Sequence, residues 1–286
     1  MNEVVISGNS GCTLDIIDGK VFKYTNDDKY VNRLKIQCAK QKFFFDLLSY
    51  NSHIQVPKVF KEDVYSKNGY GFYMQYLHAD NFITFFENYD IQHILLKIDI
   101  ILKFIDENIS TSKMIIVDKK LIEKKINSLY SIFLKSDILR RYIMHITDVL
   151  QKLYLFDKFK FPIGVCHGDL TFSNILFKKH NIVLIDFLDN FIETPMQDIV
   201  KLRQDTKHKW SLNMTCFDYD EVKIKIILDY LDRYIHNYFL KYDFYKYFYY
   251  VFQEINLLRV LPYAKTNQVV DYIINEINML KKEINT

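Results

Sequence analysis

The chain has 286 residues, of which 49% are hydrophobic and 26% charged, so it is not a disordered chain and can form one large domain or two small ones. Its formal net charge is +3 and no basic patch exceeds the general abundance of lysine, so we expect no nucleic-acid partner. The four cysteines form no Cys-x-x-Cys pair, which argues against a zinc site and against a disulfide scaffold.

No segment has the pattern of a membrane or secreted protein. Residues 1–7 lack a basic region followed by an apolar one, and the apolar run at residues 98–105 is interrupted by Asp99 and Lys103. We therefore expect a cytoplasmic protein with no membrane partner. The sequence leaves the oligomeric state open.

The first 77 residues predict a small lobe rich in strands. The predicted strands cover residues 4–6, 13–17, 20–24, 58–65 and 70–76. Asp18-Gly19 is a strong signal for a two-residue hairpin turn, and Lys67-Asn68-Gly69 predicts a second turn. Between the hairpins, apolar residues recur at helical spacing over residues 28–49, after Asp27 or Asp28 as the cap.

The remainder of the chain predicts helices around one short hairpin, over residues 175–177 and 182–185. All seven glycines lie at or before Gly168, and several helical patterns open with an Asp that can cap them. The predicted helices cover residues 90–107, 118–134, 137–154, 196–206, 219–240, 243–259 and 267–285. The layout predicts an α+β fold in two lobes, a small β-rich lobe at 1–77 and a larger, mainly helical lobe at 78–286.

One motif in the larger lobe has the residues that phosphoryl transfer needs. Cys166-His167-Gly168-Asp169-Leu170-Thr171-Phe172-Ser173-Asn174 places an Asp five residues before an Asn, and Asp186 follows twelve residues later. Kinases use one Asp to orient the acceptor hydroxyl, and an Asn and a second Asp to bind Mg²⁺. We therefore predict Asp169 as the catalytic carboxylate, with Asn174 and Asp186 as Mg²⁺ ligands. A carboxylate directly after the apolar residues 182–185 is costly to bury unpaired, which favours the metal role.

This motif, together with Leu184-Ile185-Asp186-Phe187, resembles the aminoglycoside phosphotransferase and choline kinase families. These are small-molecule kinases with a protein-kinase-like fold, in which His-Gly-Asp replaces His-Arg-Asp. The resemblance implies Mg²⁺-dependent transfer of the γ-phosphoryl group of ATP, with GTP possible, to a hydroxyl of a small polar metabolite, a sugar or an amino alcohol. It also implies that His167 and Asp198 brace the catalytic loop.

The resemblance further implies nucleotide contacts in the small lobe. Ser7-Gly8-Asn9-Ser10-Gly11 lies between two predicted strands, where kinases place the loop that covers the phosphates. Lys23 lies in the position of the strand lysine that pairs with the phosphates, with Lys20 as a weaker candidate. Gln75 and Tyr76 fall in the expected hinge, near residues 74–80, whose backbone would bind the base.

Two features depart from related kinases. The predicted helix at 28–49 contains no Glu to pair with Lys23, although Gln37 and Gln41 lie on one face and are candidates to hydrogen-bond it. This gap favours the alternative of a pseudokinase-like module that binds a nucleotide or a partner without catalysis. Leu188 replaces the Gly of Asp-Phe-Gly and no activation segment follows, which weighs against the other alternative, an atypical protein kinase.

The acceptor pocket is expected in the helical lobe. The candidate residues are Asp189, Asp205, His208 and Trp210. Trp210 and nearby tyrosines could surround a quaternary amine, whereas no run of acidic residues suits a polycationic aminoglycoside. The identity of the acceptor stays open.

Overall fold

The computed structural model describes residues 4–7, 11–66, 69–215, 218–264 and 266–284. The strands are β1 (Val4–Ser7), β2 (Thr13–Ile17), β3 (Lys20–Thr25), β4 (Ile54–Gln55), β5 (Val59–Ser66), β6 (Gly69–Gln75), β7 (Lys113–Val117), β8 (Phe159–Ile163), β9 (Ile175–Phe177) and β10 (Ile182–Leu184). The helices are α1 (Asp28–Leu47), α2 (Phe82–Asn88), α3 (Ile91–Thr111), α4 (Lys119–Lys135), α5 (Ile143–Tyr154), α6 (Pro195–Thr206), α7 (Trp210–Asn213), α8 (Glu221–Phe239), α9 (Asp243–Val260) and α10 (Asn267–Ile284).

The chain divides into two compact units, each built from two segments. The first unit contains Met1–Ile101 and Phe172–Asp189, and the second contains Leu102–Thr171 and Asn190–Thr286. The lobe boundaries proposed from the sequence, 1–77 and 78–286, remain a prediction. None of the described helices is long and apolar enough to cross a membrane.

The first unit contains a five-stranded antiparallel sheet with the strand order β1-β2-β3-β6-β5. The hairpin between β2 and β3 turns at Asp18 and Gly19, whose φ angles of 48° and 69° are the left-handed values that a tight hairpin turn requires. Gly71 on β6 lies opposite Tyr24, where an added Cβ would come within 2.7 Å of the Phe22 and Tyr24 side chains. This glycine therefore allows the two aromatic side chains to pack across the sheet.

Helix α1 packs on this sheet through one apolar cluster. The side chain of Asp27 caps the helix by accepting a hydrogen bond from the backbone N–H of Lys29. The buried residues of the cluster are Cys12, Leu34, Cys38, Tyr70, Phe72 and Met74. Burial of this apolar surface fixes α1 against the sheet.

The segment Phe172–Asp189 belongs to the first unit because of a second, three-stranded sheet with the order β4-β10-β9. β10 runs parallel to β4 and antiparallel to β9. Phe177 on β9 also exchanges two backbone hydrogen bonds with Asp80, of 2.9 and 2.7 Å. Phe85 of α2 stacks on the same Phe177 ring, with 4.8 Å between the centroids.

The second unit is mainly helical and contains α6, a helix whose twelve residues are all buried. Thr194 caps α6 at its N-terminus, and Pro195 occupies the first turn. Arg203 of α6 binds Asp232 of α8 through two hydrogen bonds of 2.9 and 2.7 Å, and it donates to Tyr245 of α9 at 2.7 Å. These pairs compensate the polar groups that α6 buries.

Most of the predicted long helices agree with the structure to within a few residues. The exception is the helix predicted at 137–154, which begins at Ile143, after a 3₁₀ turn at Arg140–Tyr142. Several short elements were not predicted. These are α2, α7, β4, β7 and β8. β8 contains Pro162, which normally argues against a strand. It is tolerated because β8 pairs with β7 alone in a two-stranded sheet, so one edge of the strand needs no donor.

Candidate active site

The His-Gly-Asp loop lies in the second unit and is held by Asp198 near the start of α6. The two carboxylate oxygens of Asp198 accept hydrogen bonds from the backbone N–H groups of His167 and Gly168, both at 2.7 Å. Asp198 is fully buried, so these donors replace the water it would otherwise bind. Gly168 has a φ of 91°, which explains why this position of the loop takes a glycine.

Two further contacts fix the same loop. The Asn190 side-chain amide donates to the Gly168 carbonyl at 2.8 Å. The Asp169 backbone N–H donates to Nδ1 of His167 at 3.2 Å, so this ring nitrogen is an acceptor. The His167 ring is buried and braces the backbone next to Asp169. This geometry agrees with the bracing role expected for His167 and Asp198.

The Asp169 side chain is 24% exposed and forms an ion pair with Lys201 of α6, with 3.1 Å between Nζ and Oδ1. Burial raises the pKa of this carboxyl, but Lys201, His167 and Arg259 together outweigh burial and the pKa lies below its ordinary value. Asp169 is therefore a carboxylate at neutral pH. The sequence reasoning missed Lys201, although its position three residues after Asp198 on one helix was a usable signal.

Asn174 and Asp186 lie in the first unit, at the open end of the β9–β10 hairpin. Asn174 ends a 3₁₀ turn directly before β9, and its backbone carbonyl accepts a hydrogen bond from Ile185 N–H at 3.1 Å. The hairpin thus brings Asn174 next to the residue that precedes Asp186. Asp186 has a φ of 61°, a left-handed conformation that costs free energy and that often marks a functional position.

Lys23 on β3 binds Asp186 directly, with 2.7 Å between Nζ and Oδ1. Burial works to lower the pKa of the Lys23 ammonium, but the Asp186 carboxylate outweighs burial and the pKa lies above its ordinary value. The structure thereby distinguishes the two lysine candidates, because Lys20 is exposed and lies over the Phe60 ring at 5.7 Å. Lys23 and Asp186 come together although 163 residues separate them in the sequence.

Asp186 takes the place of the missing Glu as partner of Lys23. Neither glutamine proposed for that role bonds to Lys23. The Gln37 amide donates to the Tyr30 hydroxyl at 3.2 Å, and the Gln41 amide donates to the Pro57 carbonyl at 2.9 Å. Among the described residues, the hydrogen-bonding partner of Lys23 is Asp186.

The residues predicted for nucleotide binding are only partly described. Gly8, Asn9 and Ser10 lie outside the described residues, whereas Ser7 ends β1 and Gly11 has a φ of 76°. At the expected hinge, the Gln75 backbone N–H donates to the Lys58 carbonyl at 2.9 Å. The Tyr76 N–H donates to the Gly19 carbonyl at 3.4 Å, which is a long contact.

Two of the four acceptor candidates have buried side chains that bond to other residues of the protein. The Asp205 carboxylate accepts hydrogen bonds from Ser211 N and Oγ, both at 2.9 Å, and His208 Nδ1 lies 2.7 Å from Glu276. Both side chains are buried and bond to residues of α7 and α10, so a role in acceptor binding stays a prediction for them. Asp189 is exposed and Trp210 is half-buried, so both keep accessible surface.

The donor set at Asn174 and Asp186 suits Mg²⁺, because an amide and a carboxylate supply hard oxygen ligands. Among the described residues, no group of three or more His, Cys, Asp or Glu side chains could hold a metal ion. With Asn174 and Asp186 as the protein ligands, the other positions would be left to phosphate and water, as is usual for Mg²⁺.

Residues 127–242, which include the His-Gly-Asp loop, Asp186 and Asp198, match the sequence model of the Phosphotransferase enzyme family. No curated protein sequence matches the chain. This match confirms the predicted resemblance, and the matched family is of the predicted enzyme class, the phosphotransferases.

Solved structures share the fold at low sequence identity. A thermostable mutant of aminoglycoside phosphotransferase APH(4)-Ia, in a ternary complex with AMP-PNP and hygromycin B, aligns over 98% of this chain and 91% of its own, with 10% identity and a TM-score of 0.60. Glucosamine kinase with glucosamine, ADP and inorganic phosphate aligns over 99% and 81%, with 10% identity and a TM-score of 0.62. APH(2")-IIia with GDP and kanamycin aligns over 99% and 93%, with 13% identity and a TM-score of 0.60. These likenesses confirm the predicted kinase-like fold class.

Proposed function

We propose that this chain is an ATP- and Mg²⁺-dependent kinase that transfers the γ-phosphoryl group to a hydroxyl of a small polar metabolite. The observation that carries the proposal is the loop of Asp169. Asp198 holds its backbone and Lys201 holds its carboxylate, within a segment that matches a phosphotransferase family. A loop fixed in this way supplies the positioning on which phosphoryl transfer mainly depends.

Asp169 would accept a hydrogen bond from the acceptor hydroxyl and aim its oxygen at the γ-phosphorus. The new O–P bond forms while the P–O bond to ADP breaks, and the hydroxyl proton passes to the Asp169 carboxylate late in the transfer. The low pKa of Asp169 makes it a weak base. Its main contribution is therefore orientation of the hydroxyl.

Asn174 and Asp186 would hold the metal, which neutralises charge on the transferring phosphates when it is bound. Lys23 would bind phosphate oxygens, and its ammonium already lies beside Asp186. On binding, the phosphates of the nucleotide would thus replace Asp186 as the partner of the Lys23 ammonium. GTP would fit the same groups, since none of them contacts the base.

The charges around Asp169 favour a sugar or amino alcohol over a polycationic aminoglycoside. The groups that lower the pKa of Asp169 are Lys201, His167 and Arg259, all of them basic side chains. Lys201 and Arg259 carry positive charges, and an acceptor with several ammonium groups would be repelled by these two side chains. Similar folds bind hygromycin B, kanamycin or glucosamine, so a panel must include both kinds of acceptor.

The test is ADP release from Mg·ATP with a panel of sugars, amino alcohols and aminoglycosides. We expect release that depends on one class of acceptor and that falls by at least about 10³-fold in Asp169→Asn, because the hydroxyl loses its orienting carboxylate. Nucleotide affinity should stay within about twofold in that variant. Asp157→Asn, which changes an exposed carboxylate, is the matched control and should keep full activity. Equal activity in Asp169→Asn and the wild type would overturn the proposal.

A nucleotide-binding module without catalysis is the second candidate, and the absence of a Glu in residues 28–49 favours it. This candidate predicts ATP binding that depends on Lys23 and no release of ADP with any acceptor. The same panel therefore separates the two functions.

A further inference from the structure

Lys201 occupies an unusual place for a lysine. It lies on α6 and is only 8% exposed, and its Nζ lies 3.1 Å from Asp169 Oδ1. A second N–H of the same ammonium donates to the Gln204 side-chain oxygen at 3.2 Å. Burying an ammonium is expensive unless it is paired, so these two partners define where it lies.

The second partner is itself held in place. The Gln204 oxygen that accepts from Lys201 also accepts from the Asn256 amide of α9, at 2.6 Å. Gln204 and Asn256 are each 1% exposed. A buried chain of hydrogen bonds therefore runs from α9 through Gln204 to the ammonium and then to Asp169.

The same helix holds the backbone of the loop. Asp198 binds the N–H groups of His167 and Gly168, and Lys201 lies three residues later, on the same side of α6. α6 thus contacts the loop at two points, the backbone before Asp169 and the carboxylate of Asp169. Each contact leaves the carboxylate less freedom to rotate.

We propose that Lys201 is a positioning residue, which holds the Asp169 carboxylate in one orientation and supplies the cation that balances its charge. This role rests on the function proposed above. Gln204 and Asn256 form the support behind the ammonium. The proposal assigns to α6 a part in the reaction beyond bracing the backbone of the loop.

The charge of Lys201 has a measurable consequence. Burial alone would raise the pKa of Asp169, and Lys201 is the largest of the opposing influences. Without the ammonium, the pKa of Asp169 should rise, and a higher pH is then needed to keep the carboxylate ionised. The acid limb of the kcat profile should therefore move to higher pH.

The test compares Lys201→Met with the wild type, with an acceptor that supports ADP release. We expect kcat to fall by about 10- to 100-fold, with the KM for Mg·ATP within about twofold. The acid limb of kcat should move up by about one to three pH units. Lys201→Arg should restore the position of the acid limb, because it keeps a cation beside Asp169. Lys207→Met, which removes the lysine that follows the same helix and pairs with Glu283, should change neither quantity.

An unchanged acid limb in Lys201→Met would overturn the proposal. If Lys201→Met does not fold, Lys201→Gln keeps a hydrogen-bond donor at the buried position and permits the same comparison.

If the wild type releases no ADP with any acceptor, the proposed function has failed, and a different readout decides about Lys201. The pH titration of the Asp169 carboxyl group is then followed by ¹³C NMR. The carboxyl signal of Asp169 is assigned as the one that is missing from the spectrum of Asp169→Asn. A higher midpoint in the Lys201 variant supports the pairing, and an unchanged midpoint overturns it.

Discussion

Helix α6 contacts the loop of Asp169, whereas helix α1 contacts the residues that follow Asp186, and the two helices do so in different ways. α6 binds the loop of Asp169 at the backbone, through Asp198, and at the carboxylate, through Lys201. α1 contacts the two residues directly after Asp186. Phe44 stacks on Phe187 at 4.5 Å, and Lys40 donates to the Leu188 carbonyl at 2.6 Å.

The two helices differ because of what they bury. Every residue of α6 is buried, so each of its polar side chains needs a partner, and the partners on the loop are fixed with it. α1 buries five residues and leaves much of its surface to solvent, and its two buried glutamines bond away from Lys23. The position of Asp169 is thus determined by several contacts, whereas Lys23 has one hydrogen-bonding partner among the described residues, Asp186.

Removal of Asp198 should have the largest effect. Asp198→Ala leaves two buried N–H groups without acceptors, at about 1–3 kcal/mol each, so the free energy of unfolding should fall by about 2–6 kcal/mol. The loop should also lose its position, and ADP release should fall by at least about 100-fold. Urea unfolding and the ADP-release assay measure the two effects.

Thr194→Ala is the matched control, because it weakens the cap of the same helix without touching the loop. It should cost about 1 kcal/mol and leave kcat within about threefold. If Thr194→Ala lowered kcat as much as Asp198→Ala, the activity would follow the stability of α6 and the bracing role of Asp198 would be wrong.

The difference between the helices also explains what the sequence could predict. Asp169, Asn174 and Asp186 could be proposed as site residues because their spacing within one short segment is fixed by the chemistry. The partner of Lys23 and the support behind the Lys201 ammonium are not local in this sense. Lys23 meets Asp186 across 163 residues, and Gln204 meets Asn256 across 52. Such pairs depend on how strands and helices pack, which periodicity does not determine.

The acceptor candidates also show what the sequence alone could not predict. Asp205 and His208 are polar residues near a predicted helix end, a pattern that fits a binding site and a buried contact equally well. In the structure they bond to Ser211 and Glu276. Burial favours the buried contact, and burial of a polar side chain is poorly encoded by residue type alone.

The ion pair of Lys23 and Asp186 should respond unequally to loss of its two members. The side chain of Lys23 is 5% exposed and that of Asp186 is 36% exposed. Asp186→Ala therefore leaves a buried ammonium without a partner, whereas Lys23→Met leaves a carboxylate that water can reach. We expect the first change to cost about 1–3 kcal/mol and the second less than about 1 kcal/mol, measured by urea unfolding.

Nucleotide binding gives this comparison a second readout. Both variants should weaken Mg·ATP binding by about tenfold or more, because one removes a metal ligand and the other a phosphate partner. Lys20→Met is the control, since that exposed lysine of β3 lies over Phe60. An equal loss of stability in Lys23→Met and Asp186→Ala would contradict the single-partner description of Lys23.

The smallest effect is expected on α1, at Gln37. This side chain is 3% exposed, its oxygen has no hydrogen-bond partner among the described residues, and its amide makes one long contact with Tyr30. Gln37→Leu removes the unpaired oxygen together with a weak bond, so the free energy of unfolding should change by less than about 1 kcal/mol in either direction. Mg·ATP affinity and kcat should stay within about twofold, because the glutamine does not bond to Lys23. A tenfold loss of affinity would mean that α1 does hold Lys23, as a helix Glu would. The contrast between a loop fixed by α6 and a lysine independent of α1 would then be lost.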